Sequence, residues 1–199
     1  MRTLAIETSG AACSVALIDG DDIIAERHEI VGRGHAERLI PWIASLPGGG
    51  RADRIIVGCG PGSFTGVRIG VAAARGLAIG WGVPVTGVSS LMLIAAECDD
   101  PAFMVAVEGG HGELFVQRFA NSPLRAVSDL QSLTPERAAA GCDEMIVGSG
   151  ALRVAANCPK SKGEDRAARA ANIRFLSGDM LALSPHPVYG RGADATPMQ

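Results

Sequence analysis

The stretch Gly58-Cys59-Gly60-Pro61-Gly62-Ser63-Phe64-Thr65-Gly66 is the part of the chain best suited to chemistry. It follows a short apolar run, Arg54 to Val57, and precedes Phe64 to Ile79, a segment with no helix breaker except glycine, so it reads as strand, glycine turn and long helix. Such a turn directs free backbone N–H groups and a partial positive charge outward, which suits an anion such as phosphate. No Lys follows the glycines, which excludes a Walker loop, and no acid lies ~20 residues on to hold a ribose, so a dinucleotide fingerprint fits poorly. The competing reading, which this pattern favours, is that the glycines permit tight packing. Glu7 closes the first apolar strand and is followed by Thr8 and Ser9, so Glu7, Thr8 and Ser9 with Gly60, Gly62 and Ser63 form a candidate phosphate turn for a magnesium-bound phosphate or a water. The competing reading is a strand-end carboxylate bonded to turn amides. His28, His35, His111 and His186 show no H-x-x-x-H or H-E-x-x-H spacing, so no metal ligands are assigned. Ser63 does not sit in a G-x-S-x-G elbow and has no assignable His or Asp partner, so no catalytic residue is assigned either.

The elements that position these residues follow from periodicity. Arg2 to Glu7, Cys13 to Ile18 and Ile23 to Ile30, separated by turn signals, predict an antiparallel meander. His35 to Leu46 has Leu39, Trp42, Ile43 and Leu46 at helical spacing, with Pro41 expected to loosen its middle. Val83 to Val88 reads as a strand, and Ser89 or Ser90 as the cap of a helix from Leu91 to about Glu97. Phe103 to Glu108, a Gly-Gly-His-Gly turn and Glu113 to Phe119 then replay the strand, turn and strand of the opening. Glu144 to Gly150 with Ala151 to Ala156 replays Arg54 to Gly60 and its helix. Two lobes of related topology, the second trimmed, are expected, with Asp99-Asp100-Pro101 as the boundary between 1–100 and 101–199. The mixed-charge segment 157–172 reads as a solvated loop feeding a helix near Ala167, and Ser184 to Gln199 as a surface extension.

With 199 residues, 47% of them hydrophobic, the chain has material for one large domain or two small lobes. A formal charge of -3 and 20% charged residues exclude a disordered chain and a whole-protein basic footprint, so nucleic acid is met locally or through a partner. No stretch reaches the ~18 consecutive apolar residues of a membrane span, and the opening lacks a signal peptide's order, so a cytoplasmic protein without membrane contact is expected. Cys13, Cys59, Cys98, Cys142 and Cys158 form no C-x-x-C pair, which argues against a disulfide frame or zinc knuckle and for reduced packing residues.

The helix after the glycine turn carries Phe64, Val67, Val71, Ala74 and Ala78 as one stripe and Gly66, Gly70 and Ala73 as a small-residue face. Only Arg68 and Arg75 are charged. A helix of this kind permits a close crossing by a partner helix, with Trp42 on the preceding helix as the natural aromatic anchor beside it; the competing reading is a wholly buried core helix with Trp42 as ordinary core.

The run Gly60-Pro-Gly-Ser-Phe-Thr-Gly-Val-Arg-Ile-Gly-Val-Ala-Ala-Ala-Arg-Gly-Leu-Ala78, the opening Leu4-Ala-Ile-Glu-Thr-Ser9 and His35-Ala-Glu-Arg-Leu-Ile-Pro41 closely resemble the TsaB (YeaZ) family. The resemblance covers the first half strongly. In the second half Val107-Glu-Gly-Gly-His-Gly-Glu-Leu-Phe115 departs from the family's Asp-Ala-Arg and Gly-Glu-Val-Tyr, while Pro187-Val-Tyr-Gly-Arg191 is similar to its closing Pro-x-Tyr-x-Arg. The resemblance implies an α/β, two-lobed fold like actin, sugar kinases and Hsp70 (ribonuclease H-like), with mixed sheets flanked by helices and a reduced second lobe. It also implies a non-catalytic subunit required for threonylcarbamoyl transfer to the adenosine next to the anticodon of tRNA. The implied partners are a TsaD-like catalytic subunit and a TsaE-like ATPase, with tRNA met indirectly through the complex. The TsaD-binding helices correspond to His35 to Leu46 and Phe64 to Ile79, so the expected interface is His35, Leu39, Trp42, Phe64, Val67, Arg68, Val71, Ala74 and Arg75. Without that partner the same patch should form a homodimer. Glu7-Thr8-Ser9 stands where the superfamily has an Asp-x-Gly-Thr phosphate turn, so the candidate turn is a degenerate one. No cofactor is then expected on the isolated chain, with ATP or ADP present only in the complex. The alternative is a stand-alone ATPase or phosphotransferase. Peptidase activity is not expected, since no ligand set is visible.

Overall fold

A computed structural model describes residues 1–190. Arg191 and the remainder of the expected tail, to Gln199, lie outside the described residues. Strands β1 (Arg2–Glu7), β2 (Ala12–Asp19) and β3 (Asp22–Ile30) form the antiparallel meander. Helix α1 (His35–Ser45) follows and runs through Pro41. β4 (Arg54–Gly58) joins the other side of β1 in parallel. Helix α2 (Phe64–Trp81) then leads to β5 (Val85–Val88), parallel to β4, giving the order β3-β2-β1-β4-β5. Local chemistry sets the bounds of α2. The Ser63 hydroxyl accepts the Gly66 N–H at its start, and Gly82, left-handed at φ 69°, returns its N–H to the carbonyls of Ala78 and Ile79 at its end.

After α3 (Ser90–Ala95), strands β6 (Ala102–Gly110) and β7 (Glu113–Ala120) repeat the hairpin, with the short β8 (Arg125–Ala126) and β9 (Gln131–Leu133) both paired to β7. Helix α4 (Pro135–Ala139), β10 (Met145–Val147), α5 (Ala151–Ala155) and β11 (Gly163–Glu164) complete the second sheet, ordered β11-β10-β6-β7-β8. Read from meander to parallel edge, the second sheet is β8-β7-β6-β10-β11, the topology of the first with shorter outer strands and helices. The duplication visible in the sequence is therefore a duplication of the fold.

Strand alternation divides the apolar residues among three cores. Ala5, Ala16, Ile56 and Val88 of the first sheet face Phe103, Val105, Phe115 and Phe119 of the second, with α3 packed between. Leu4, Ile6, Val15 and Leu17 point to the opposite face of the first sheet, where Leu39, Ile43, Val67, Val71, Ala74 and Ala78 of α1 and α2 cover them. Met104, Ala106, Leu114 and Ile146 meet α4 and α5 on the far side of the second sheet. The stripes of α1 and α2 thus lie against the chain's own sheet, where each large side chain contributes roughly 1.5–3 kcal/mol. This corrects the interface expectation for Leu39, Val67, Val71 and Ala74, which are buried and closed to any partner. His35 is buried too, its Nε2 lying 3.2 Å from the Ala12 carbonyl oxygen.

The segment 157–172 is also corrected. It holds β11 and enters a 3-10 turn, Ala170–Phe175, instead of an α-helix near Ala167. Ala170, Ala171, Asn172 and Ile173 are buried, because this segment crosses back onto the first sheet. There the Ala170 N–H donates to Ser14 Oγ at 3.0 Å, Asn172 Nδ2 to the Leu93 carbonyl at 2.8 Å, and Arg169 pairs with Glu26 at 2.9 Å. The chain then runs along β5, where Leu183 bridges Gly87, and the Val188 N–H donates to the Cys59 carbonyl at 2.8 Å. No helix among the described residues is long and apolar enough to cross a membrane.

Candidate functional site

The turn after β1 and the glycine turn after β4 lie side by side because those strands are parallel neighbours. The Glu7 side chain is 1% exposed. Its Oε1 accepts the Ser9 N–H at 2.5 Å and its Oε2 the Ser90 hydroxyl at 2.7 Å, while Ser90 Oγ in turn accepts the Gly60 N–H at 3.1 Å. Thr8 Oγ1 donates to the Gly66 carbonyl at 2.8 Å, and the Ser9 carbonyl accepts the Ser63 N–H at 2.6 Å. Glycine is required for this proximity, since a Cβ on Gly58 would overlap the Glu7 carboxylate and one on Gly66 the Thr8 carbonyl. A Cβ on Gly70 would likewise strike the Thr8 hydroxyl. The small-residue face of α2 therefore serves approach of the helix to its own strand end. Both carboxylate oxygens of Glu7 and the amides of Gly60 and Ser63 are engaged within the chain, the arrangement of a strand-end carboxylate bonded to turn groups.

Ser90 is the member of this network that sequence reasoning missed. It reads as a cap, but it lies inside α3 and makes no cap bond, and only its pairing with Glu7, 83 residues away, shows its role. The second half repeats the device more loosely. The Glu108 N–H donates to Ser149 Oγ at 3.1 Å, and the Glu108 carboxylate pairs at the surface with Arg153 at 2.7 Å.

Between the two turns opens a cleft of about 1170 Å³. Ser9, Pro61, Gly62 and Ser63 line one wall, and Glu108, His111, Phe115 and Ser149 the other. At its mouth the guanidinium of Arg68 lies 3.4 Å from the centre of the Phe64 ring and donates Nε and Nη2 to the Tyr189 hydroxyl at 3.1 and 3.0 Å. The Phe64 and Tyr189 rings are 5.4 Å apart. Tyr189, in the part of the expected surface extension up to Gly190, is thus fastened to the start of α2. Cys59, beneath this strap, has its thiol pushed up to about 11 by burial, with Glu7 adding to the effect. Among the described residues no group of three or more His, Cys, Asp or Glu side chains is placed to hold a metal ion.

On the solvent side of α1 and α2 the structure leaves a different set from the one expected. Phe64, Arg68 and Arg75 are exposed and Trp42 is half-buried. Beside them stand residues the stripe argument passed over: Ile79, 84% exposed, Ile40, 47% exposed, and the small Ala36, Ala44, Ala72 and Gly76. Thr65, Arg68, Ala72, Arg75 and Ile79 recur at helical spacing, so this face was legible as the complement of the buried stripe.

Residues 23–128 match the family model for TsaD, tRNA N6-adenosine threonylcarbamoyltransferase. Over 100 residues the chain is 44% identical to the tRNA threonylcarbamoyladenosine biosynthesis protein TsaB of Escherichia coli (strain K12), covering 48% of this chain and 43% of that protein. Over 101 residues it is 40% identical to the protein of the same name from Bacillus subtilis (strain 168), covering 48% and 44%. The matched region spans less than half the length of these curated relatives. Among solved structures, YeaZ from Pseudomonas aeruginosa aligns with a TM-score of 0.77 at 29% identity, over 88% of this chain and 89% of that one.

Proposed function

We propose, because the chain belongs to the TsaB (YeaZ) family, that it is a non-catalytic subunit in the synthesis of threonylcarbamoyladenosine on tRNA, docking and activating a TsaD-like transferase through the solvent side of α1 and α2. The observation that carries this reading is the closure of the Glu7 turn on itself. A phosphate-transfer site keeps amides and a carboxylate free for the reacting group. Here Glu7, Gly60 and Ser63 are engaged with Ser9 and Ser90. What faces solvent nearby is Ile40, Phe64 and Ile79 among alanines and glycine, an apolar surface that gains ~25 cal/mol per Å² when covered. The transferase's own family model matches residues 23–128, which include both helices. A partner with the same helix pair packs against it in a near-twofold arrangement. A homodimer through the same face forms when that partner is missing. A TsaE-like ATPase and tRNA join through the complex, and ATP or ADP is held there and not by the isolated chain.

The test is reconstitution. Threonylcarbamoyl transfer to tRNA by a TsaD-like enzyme is measured with and without this chain, and the isolated chain is titrated with Mg-ATP in a calorimeter. Transfer that depends on the chain, with no heat from Mg-ATP, supports a scaffold. The second reading, a stand-alone ATPase or phosphotransferase, is favoured by the cleft of about 1170 Å³ between the lobes. It is upheld if the isolated chain binds and turns over Mg-ATP and Glu7→Gln abolishes that turnover.

A further inference from the structure

Two of the five cysteines are brought together by the fold of the second half, and neither takes part in the site described above. Cys142 lies in the loop between α4 and β10, and Cys158 lies just past α5, 16 residues on. The Cys158 thiol donates to the Cys142 carbonyl. The Ser161 hydroxyl touches both sulfurs, at 3.4 Å for Cys142 and 3.3 Å for Cys158. With one oxygen in contact with both, the sulfurs stand no more than about 7 Å apart, so an S–S bond of ~2 Å requires the two loops to draw together. Both thiols lie just beneath the surface, since Gly141, Asp143, Pro159 and Lys160 beside them are exposed.

The other three cysteines differ. Burial pushes the thiols of Cys13 and Cys59 up to about 11 and raises that of Cys98. The hydrogen bond from Ser161 instead favours the Cys158 thiolate and lowers its pKa.

We propose that Cys142 and Cys158 form an intramolecular redox pair that a hydroperoxide converts to a disulfide. The Cys158 thiolate attacks the terminal peroxide oxygen and the O–O bond breaks. This leaves a sulfenic acid on Cys158 and, with the thiol's proton, one molecule of water or alcohol. The Cys142 sulfur then attacks the sulfenic sulfur, the S–S bond forms, and the S–O bond breaks with hydroxide leaving as water on the Cys142 proton. Two thiols lose two electrons and the peroxide gains them. The bridge ties the segment just past α5 to the turn before β10, and Ser149, two residues ahead of that helix, lines the cleft.

The test uses the reduced, folded full chain treated with hydrogen peroxide, alkylated after unfolding and digested with trypsin without reduction. Cleavage at Arg137, Arg153 and Lys160 puts Cys142 and Cys158 on separate peptides, 138–153 and 154–160. The expected product is those two peptides joined with loss of two hydrogens, with Cys13, Cys59 and Cys98 recovered alkylated. The folded Ser161→Ala variant should form the bridge several-fold more slowly, and Cys142→Ala should leave a sulfenic acid on Cys158 that a dimedone probe captures. Recovery of both peptides unlinked, or linked only between two chains as shown by mixing isotope-labelled and unlabelled protein, overturns the proposal. An unlabelled Cys158 in Cys142→Ala overturns it as well.

Discussion

Replacing Glu7 by Ala separates a structural carboxylate from a catalytic one. Glu7 is fully enclosed, and its two oxygens are the acceptors for the Ser9 N–H and the Ser90 hydroxyl. Removing it leaves two buried donors without partners, at about 1–3 kcal/mol each, so the expected loss is about 2–6 kcal/mol. That is a large part of the roughly 5–15 kcal/mol available to a domain. With a urea slope of about 2–3 kcal/mol per molar for a chain of this size, the unfolding midpoint should fall by roughly 0.7–3 M. Equilibrium unfolding followed by circular dichroism and by the fluorescence of Trp42 and Trp81 measures this directly. Ser90→Ala should cost a comparable amount, since it frees one Glu7 oxygen and the Gly60 N–H, and the double variant should cost less than the two losses added. A carboxylate kept for catalysis behaves oppositely, because its removal commonly leaves stability unchanged or raises it. Glu7→Ala with an unfolding midpoint at or above that of the parent chain would refute the reasoning.

Three further outcomes are expected. Gly66→Ala sets a Cβ against the Thr8 carbonyl and should cost about 1–3 kcal/mol in thermal unfolding, where a loss below about 0.5 kcal/mol contradicts the packing role. Arg68→Ala removes the guanidinium that holds Tyr189 to Phe64, an exposed contact of about 1 kcal/mol or less. Stability should barely change while chymotryptic cleavage after Tyr189 becomes several times faster, and unchanged cleavage contradicts the strap. His28 is held below its ordinary value of 6.5 first by burial and then by the positive Arg169, with Glu26 and Glu97 opposing. The unfolded chain therefore binds the more protons as pH falls below about 6.5, and stability drops in that range. Melting temperatures at pH 7.5 and 5.5 should differ more for the parent than for His28→Gln, and equal slopes contradict the assignment.

Strand alternation and helix periodicity carried most of the first half. The meander, α1, β4, the glycine turn and α2 stand within a few residues of where their patterns place them. What periodicity cannot give is the identity of the neighbour. The stripe of Val67, Val71 and Ala74 was legible as an apolar face, but not that the first sheet has a second apolar face, Leu4, Ile6, Val15 and Leu17, needing cover. Among the described residues α1 and α2 supply the helical cover for it, so their stripes are used internally and the surface is left to Ile40, Ala72 and Ile79. Strands of two or three residues such as β8, β9 and β11 are too short to show a period. The burial of Ala170 to Ile173 beside charged residues comes from tertiary packing into the core between the sheets and pairing with Ser14 and Leu93. The network of Glu7, Ser9 and Ser90 was half visible: the acid and its turn were, the serine from α3 was not.

The central claim, that this chain serves as a docking surface, is tested most directly by sedimentation velocity of the purified chain mixed with a TsaD-like transferase. The parent chain should move with the transferase as one heavier boundary. The Ala72→Arg and Ile79→Glu double variant, altered only at exposed positions, should keep its circular dichroism spectrum and sediment apart. A variant that still joins the complex with parental affinity would contradict the assignment of α1 and α2 as the docking surface.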